Sequence, residues 1–339
     1  MSLLSRSDEI DLLTELHDGV HESPRWATFL ARMQRRTRAD HVSLIVGQEG
    51  VPIHRATQWF AGRDVRAQVN QLDHLARLDP TPYHRLRPGR VYAANEMIDP
   101  DDAGHSRFQR EYLDRIGIRF GRFMRITERG GRSAWLSVTR AADDFTAADS
   151  ALISSLAQHL AIALRTLVEL ERLRWHATVA DDTLSRAGIG WAALDQDARP
   201  IDHGGAGMPG GRGLATLPPA LPRAARIDGD ETVDVLAVPV AAQPLAAATT
   251  AAALALTRSA SPLGAAAEEA LMALIGLSRR EAGLAARLAN GESLAEAAQP
   301  LGLTIQTARN YSKRLFAKTG ARGQADLVRL VLTSVASLA

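Results

Sequence analysis

Cysteine is absent from the 339 residues of this chain. Its absence excludes disulfides, thiolate metal sites and cysteine nucleophiles, and is compatible with a reducing compartment. Lysine is nearly absent too, since only Lys313 and Lys318 occur. A phosphoreceiver domain needs a lysine beside its aspartate pocket and a phosphate-binding loop needs a Walker lysine. Neither kind of input module is therefore predicted.

Long apolar runs are also lacking. The longest, around Leu245–Leu256, is broken by two threonines and is too short to span a bilayer. The first fifteen residues contain four acidic ones, not the basic start and apolar core of a signal peptide. We therefore predict a cytoplasmic protein without membrane contact. A hydrophobic fraction of 46% predicts packed cores, and the length favours two or three domains.

Charge is unevenly distributed along the chain. Residues 277–339 hold nine Lys and Arg against four Asp and Glu, a net charge of +5. Residues 1–276 hold 31 against 34, a net charge of −3. A basic end on an acidic body is typical of a protein that binds nucleic acid through that end.

The basic end contains a series of helix start and stop signals. Ser278–Glu281 and Ser293–Glu296 are capping boxes, in which serine and glutamate each bond the other's backbone N–H. Gly291, Gly302 and Gly320 are left-handed helix stops. Together these signals predict four helices, at 278–290, 293–301, 305–319 and from about 323 onward.

Small residues lie where the second and third of these helices would cross: Ala297, Ala298 and Ala308. They allow the close approach that a helix-turn-helix requires. The stretch Leu277–Leu330 resembles the LuxR-type helix-turn-helix family in its L-S-x-x-E start, G-x-S-x-x-E-x-A middle, L-G-L-T-x-x-T turn and K-x-G end. Two positions depart from that pattern: Ala308 stands where valine is usual, and Tyr311 stands where histidine is usual.

The resemblance implies that Arg309, Asn310 and Lys313 face the bases. Arginine and lysine can donate to guanine, and asparagine can pair with adenine. Four further residues are placed to bind phosphates, aided by the helix N-terminus: Thr304, Thr307, Arg314 and Lys318. The alternative is an ordinary basic helix with a solvated face. The sequence therefore predicts binding to a double-stranded DNA operator.

The first 175 residues alternate between helix and strand patterns. Together they resemble a GAF-type sensory domain, predicted over 1–180. The predicted helices are 8–38, 65–78, 107–115 and 149–175, and the predicted strands are 41–47, 53–59, 91–92, 118–127 and 133–139.

Short strand patterns follow around a glycine-rich loop at 203–213. They resemble a truncated PAS-type domain over 181–262, before a DNA-binding domain over 263–339. The predicted fold is α+β and multidomain, with two α/β sensory domains and an all-α, four-helix C-terminal domain. The predicted strands are 190–194, 199–202, 233–240 and 251–257.

The predicted helix at 149–175 carries a heptad stripe, with apolar residues spaced alternately by three and four. Such a stripe favours either pairing of two helices or packing against the domain's own sheet. The stripe consists of Ile153, Leu156, Leu160, Ala163, Leu167 and Leu170.

Thirteen of the sixteen aromatic residues lie in 1–175. Aromatic side chains commonly line pockets for small apolar molecules, although core packing is the alternative for each one. Arg122 could pair with a ligand carboxylate or lie on a solvated face. No cofactor or metal is predicted, because the histidines lack ligand spacing. The predicted ligand-binding residues are Trp59, Tyr83, Tyr92, Phe108, Tyr112, Phe120, Phe123 and Trp135.

These features predict a transcriptional regulator that is not an enzyme. It would be a homodimer, controlled by a small hydrophobic or aromatic effector, and would contact RNA polymerase if it is an activator. One alternative makes the sensory domains protein-interaction scaffolds. Another attaches an enzyme module to the DNA-binding end, but the sequence contains no nucleophile elbow, HExxH, Rossmann or cyclase motif.

Overall fold

The structure is a computed structural model with two compact units, Met1–Leu173 and Arg174–Ala339. The chain is mixed α and β, with two antiparallel five-stranded sheets and several helices. The predicted boundary at residue 180 falls inside a helix. The described residues are 6–48, 56–76, 78–81, 85–128, 131–206, 223–227, 233–240, 251–259 and 262–339.

The first unit contains a sheet with strand order β2-β1-β5-β4-β3. The predicted strands at 41–47, 118–127 and 133–139 are confirmed. The elements are α1 (Arg6–Asp18), α2 (Ala27–Thr37), β1 (His41–Gln48), β2 (Thr57–Gly62), α3 (Arg66–Gln71), α4 (Asp73–Ala76), β3 (Val91–Ala93), α5 (Ala94–Met97), α6 (Ala103–Phe108), a π-helical turn (Gln109–Leu113), β4 (Phe120–Thr127), β5 (Arg132–Arg140), α7 (Ala147–Ser155) and α8 (Ala157–Arg186), which runs on into the second unit.

The predicted helix at 8–38 is two helices, and this prediction was wrong. The chain turns after Gly19, and Trp26 packs so tightly there that a Cβ on the glycine would meet its ring at 2.5 Å. The indole Nε1 of Trp26 donates to the Leu16 carbonyl at 2.9 Å. The buried side chain of Trp26 therefore packs at the turn between α1 and α2, where the backbone is not helical.

The main core of the first unit lies on one face of its sheet. Alternate strand residues such as Leu44, Met124 and Leu136 are buried there with residues of α1, α2, α7 and α8. The predicted heptad stripe is part of this core. Five of its members are only 0–4% exposed: Ile153, Leu156, Leu160, Ala163 and Leu167. Of the two predicted alternatives, the structure therefore shows packing within the domain.

The predicted helix at 149–175 is divided at Leu156 and continues to Arg186. Its start is fixed by Thr146, whose Oγ1 accepts from the Asp149 N–H at 3.2 Å. Among the described residues one helical stretch, Ala147–Arg186, is long and apolar enough by length and composition to cross a membrane. This is weak evidence of a span, because 39% of its most apolar window is buried and core helices pass the same test.

The second unit begins with a sheet of strand order β7-β6-β10-β9-β8. Its core is small, with four alanines among its six buried residues. The strand β8 was not predicted, and most of the predicted glycine-rich loop lies outside the described residues. The strands are β6 (Ile189–Leu194), β7 (Pro200–Gly205), β8 (Arg223–Ile227), β9 (Val233–Pro239) and β10 (Ala253–Arg258).

A helical cluster completes the second unit. The four predicted helices are confirmed, and an unpredicted helix precedes them, packing through Leu271. The side chain of Asn290 makes two bonds to the backbone of Leu263, at 2.8 and 3.1 Å. The helices are α9 (Ala265–Ile275), α10 (Arg279–Ala289), α11 (Leu294–Ala298), α12 (Ile305–Thr319) and α13 (Gln324–Thr333), followed by a 3-10 turn (Val335–Leu338).

Candidate nucleic-acid interface and effector site

The helix α12 starts from a well-defined cap. The Thr304 hydroxyl accepts from the Thr307 N–H at 3.2 Å, and the two hydroxyls are 2.8 Å apart. The preceding turn is closed by the Leu303 N–H, which donates to the Ala298 carbonyl at 3.0 Å. Gly302 has a φ of +64°, which an L side chain rarely adopts. These local bonds fix the direction in which α12 leaves α11.

The three predicted alanines are buried where these helices meet. Ala297 and Ala308 are fully buried, and Ala298 is 2% exposed. A larger side chain at any of them would force the axes apart or strain the packing. Small size at these positions therefore keeps α12 close to α11 while its other face stays open.

The three predicted base-facing residues share that open face. Arg309, Asn310 and Lys313 are exposed, whereas Ser312 and Leu315 point into the core. Asn310 follows Arg309 by one residue and Lys313 follows it by four, so the three side chains lie near one another on the surface of the helix. The exposed guanidinium of Arg314 lies 5.8 Å from the centre of the Tyr311 ring. The structure thus brings cationic and amide donors together along one side of a single helix.

Lys318 differs from the other predicted phosphate-binding residues. Its ammonium donates to Glu281 Oε2 at 2.6 Å and to the Gly276 carbonyl at 3.2 Å. Burial alone would raise the pKa of Glu281, but hydrogen bonds from Lys318 and Ser278 outweigh it and lower that pKa. The sequence showed both residues in the family-like pattern but did not show that they pair.

A second candidate site lies in the first unit, on the sheet face opposite the main core. Cross-strand partners share a face, and one row runs through Phe60, Ser43, Ser137, Phe123 and Tyr92. Both serines are more than nine-tenths buried. Neither hydroxyl forms a hydrogen bond within the described part of the chain. Small polar groups therefore occupy the centre of this row, with aromatic rings on both sides.

The neighbouring row is also buried and polar. Ile45 pairs with Trp135, and Trp135 pairs with Arg125. Arg125 is 6% exposed and donates to Ser133 Oγ at 3.2 Å and to the Leu86 carbonyl at 3.4 Å. A buried guanidinium on a sheet face is unusual unless it is well hydrogen-bonded.

The segment between β2 and β4 contributes one contact to this face, because the Leu86 carbonyl accepts from Arg125. Within the same segment the rings of Phe108 and Tyr112 stack at 5.1 Å. Several apolar residues of this segment are buried without belonging to the main core: Val65, Leu75, Leu86, Phe108 and Ile116.

The structure divides the eight predicted ligand-binding residues. Tyr92, Phe123 and Trp135 lie together on the polar sheet face, and Phe108 and Tyr112 lie in the segment between β2 and β4. Two others, Trp59 and Phe120, pack against the main core, and Tyr83 lies outside the described residues. Ser43, Ser137 and Arg125 were not among the predicted ligand-binding residues. Serine at the third position of H-V-S-L-I-V-G was a usable signal, because it interrupts a buried apolar strand.

Arg122 fits neither of its predicted roles. It is 9% exposed and donates to Asp144 at 2.9 Å, to Ser150 Oγ at 3.0 Å and to the carbonyl of Phe145 at 3.0 Å. Burial alone would raise the pKa of Asp144, but hydrogen bonds from Arg122 and the Phe145 N–H, together with the charges of Arg122 and Arg140, outweigh it, and the pKa is lowered. The arginine fastens the start of α7 to β4, because Ser150 belongs to that helix.

Two open clefts lie on the first unit. One of about 280 Å³ is lined by Asn95, Ser106, Arg110 and Arg119 among others, and one of about 600 Å³ also includes Arg119. Within the described ranges, no three His, Asp or Glu side chains come together as a metal site.

Comparisons with known proteins give only distant similarities. No family model matches the chain, and none of the curated proteins does. An N-acylhomoserine lactone dependent LuxR family transcription factor from Burkholderia cenocepacia, CepR2, is 14% identical over 50% of this chain and 98% of its own, with a TM-score of 0.36. SdiA from Escherichia coli is 14% identical over 95% of this chain and 94% of its own, with a TM-score of 0.35. The VqsR ligand-binding domain from Pseudomonas aeruginosa is 13% identical over 47% of this chain and 96% of its own, with a TM-score of 0.37. Scores this low do not establish a shared fold.

Proposed function

We propose that this chain is a DNA-binding transcriptional regulator of the LuxR type. The observation that carries the proposal is the exposed face of α12, where Arg309, Asn310 and Lys313 lie together on a helix held close to α11 by buried alanines. A helix presented in this way can enter the major groove, and its N-terminal cap can approach a phosphate. The alternative of a merely solvated basic face predicts no sequence preference.

The test is operator selection from random duplexes, followed by anisotropy with the full-length chain. Arg309→Ala and Lys313→Ala should each weaken binding by about tenfold or more, and Arg309→Ala should also relax base preference. Arg329→Ala removes an exposed arginine from α13 and serves as the control. Unchanged affinity in both α12 variants would contradict the assignment of α12 as the recognition helix.

We further propose that the first unit senses a small molecule. The predicted GAF-like region 1–180 would bind it on the polar sheet face, and the PAS-like region 181–262 would connect it to the DNA-binding region 263–339. The supporting feature is the pair of buried serine hydroxyls between aromatic rings. Such a surface suits an effector with an apolar or aromatic body and one hydrogen-bonding group. The regulator would act in the cytoplasm as a homodimer, without catalysis.

Native mass spectrometry of the full-length protein tests this sensor. A bound mass of a few hundred daltons in the wild type, lost in Ser137→Ala, is the expected result, because alanine removes the hydroxyl while keeping a similar volume. Thr139→Val changes a neighbouring β5 residue whose hydroxyl already bonds the His41 carbonyl at 3.4 Å, and provides the control. If repeated purifications and a thermal-shift screen of apolar carboxylates, amides and esters yield no ligand, the scaffold alternative is favoured.

A further inference from the structure

The second half of α8 is largely uncovered, although Asp181 accepts a hydrogen bond from the Gly205 N–H at 2.7 Å. Every side chain from 171 to 183 is exposed. Apolar residues are among them, since Leu173 is 53% exposed and Val179 is 42% exposed. Isolated helices of this length are marginal in water, and most helical stability comes from packing an apolar face. The exposed apolar side chains therefore indicate that another helix or protein surface packs against this segment.

The apolar residues include a regular stripe. Leu170, Leu173, Ala177, Ala180 and Leu184 follow one another at spacings of three, four, three and four. This is the a and d pattern of two helices wound around each other. The stripe begins at Leu170, where the buried heptad stripe of the first unit ends, and on the helix it is rotated from that stripe by roughly a quarter of a turn at 3.6 residues per turn. Leu170, the first member, packs against the core of the first unit, whereas Leu173, Ala177 and Ala180 are exposed and are not part of that core.

The residues that flank the stripe carry complementary charges. Glu169 and His176 precede the a positions, and Arg174 and Asp181 follow the d positions. Glu169 and His176 therefore occupy g positions, and Arg174 and Asp181 occupy e positions. In a parallel pair in register, each g residue faces the e residue that lies five positions later on the other helix. Glu169 then lies opposite the partner's Arg174, and His176 lies opposite the partner's Asp181. Twofold symmetry repeats both pairs, and like charges do not face one another.

We propose that α8 pairs with α8 of a second copy, parallel and in register, through Leu170, Leu173, Ala177, Ala180 and Leu184. The occupant is a second copy because the flanking charges complement themselves under that symmetry. Five stripe residues per helix are far fewer than the 20–30 residues of a standard interface, so the contact alone is a weak and reversible one. The inference deepens the proposed function, because it supplies the surface of the proposed homodimer.

Single-cysteine cross-linking tests the geometry, and the natural lack of cysteine removes any background. Ala177→Cys and Leu184→Cys should each give a disulfide-linked dimer under mild oxidation, because identical a positions meet in a parallel pair. Val179→Cys lies away from the stripe on the same exposed helix and should not cross-link. An antiparallel pair would link Ala177→Cys but not Leu184→Cys and would overturn the proposed register. Equal linking of Val179→Cys would overturn the interface.

Sedimentation of the full chain without DNA tests the energetics. Leu173→Lys should raise the dimer dissociation constant by about tenfold or more. Val179→Lys introduces the same charge at another exposed apolar residue, away from the stripe, and should leave that constant unchanged. Arg174→Glu should weaken the dimer, and adding Glu169→Arg should restore it. Equal effects of the two lysine variants would overturn the inference.

The two proposals can fail separately. A chain that dimerises through the stripe but selects no DNA would contradict only the proposed function. A chain that selects DNA as a dimer, with Leu173→Lys unaffected, would contradict only the α8 interface.

Discussion

The first unit and the helix α12 place their polar side chains in opposite ways. The sheet of the first unit buries Ser43, Arg125 and Ser137 on the face opposite its main core. The helix α12 exposes Arg309, Asn310 and Lys313 and buries its apolar side. A buried polar group is costly unless something satisfies it, whereas an exposed cation is already solvated. The first arrangement fits the proposed small effector, and the second fits the proposed DNA partner.

Residues of the same type also differ between buried and exposed surroundings. Arg122 is buried with several partners and holds secondary structure together, whereas Arg309 is exposed and available to an external partner. Lys318 pairs with a buried carboxylate, whereas Lys313, five residues earlier, is exposed. Residue type alone therefore does not distinguish a structural cation from a binding one, and the surroundings of each charge do.

The largest expected effect tests the buried side of this contrast. Arg122→Met should lower the free energy of unfolding of the first unit by about 3 kcal/mol, because it removes the charged donor that Asp144, Ser150 Oγ and the Phe145 carbonyl share. Arg119→Met, at an exposed arginine of the preceding loop, should change it by less than about 0.5 kcal/mol. Urea denaturation followed by circular dichroism measures both. If both variants lost a similar free energy of unfolding, the proposed difference between a buried and an exposed arginine would be contradicted.

The two lysines provide the next test. Lys318→Met should lower the stability of the helical cluster by about 1–3 kcal/mol, because Glu281 loses a charged donor. Lys313→Met should leave stability within about 0.5 kcal/mol and weaken DNA binding by about tenfold. Thermal unfolding and anisotropy on the same preparations separate the two outcomes. If Lys318→Met kept the wild-type stability but lost DNA binding, the predicted role of Lys318 as a phosphate contact would be supported instead.

The smallest expected effect is a dependence on pH. The pKa of Glu281 is lowered in the folded state, so its stabilising contribution is present above the unfolded pKa and is lost as pH falls through the folded one. The stability difference between wild type and Glu281→Gln should therefore shrink between about pH 6 and about pH 3. Denaturation curves across that range measure it. A difference that stays constant would mean that the Lys318–Glu281 pair does not form in solution.

Local signals made the helical cluster predictable. Capping boxes at Ser278 and Ser293 and stops at Gly291 and Gly320 act within a few residues, so α10 to α13 were predicted closely. The helix α9 was missed because Gly264 gives it no side-chain cap. In the first unit the strands were predicted from their composition, but the split at Trp26 was not, since it depends on packing across a turn.

By itself, the sequence determined the four helices at 278–333, their basic residues, the lack of thiol groups, and most strands of the first sheet. These properties depend on residue type and on neighbours a few positions away. Only the tertiary structure decided which aromatic residues share a face, that Ser43 and Ser137 meet, that Lys318 reaches Glu281, and that the heptad stripe belongs to the core. Each of these depends on strand register or helix packing between residues far apart in the chain, and such contacts leave no periodic signal in the sequence.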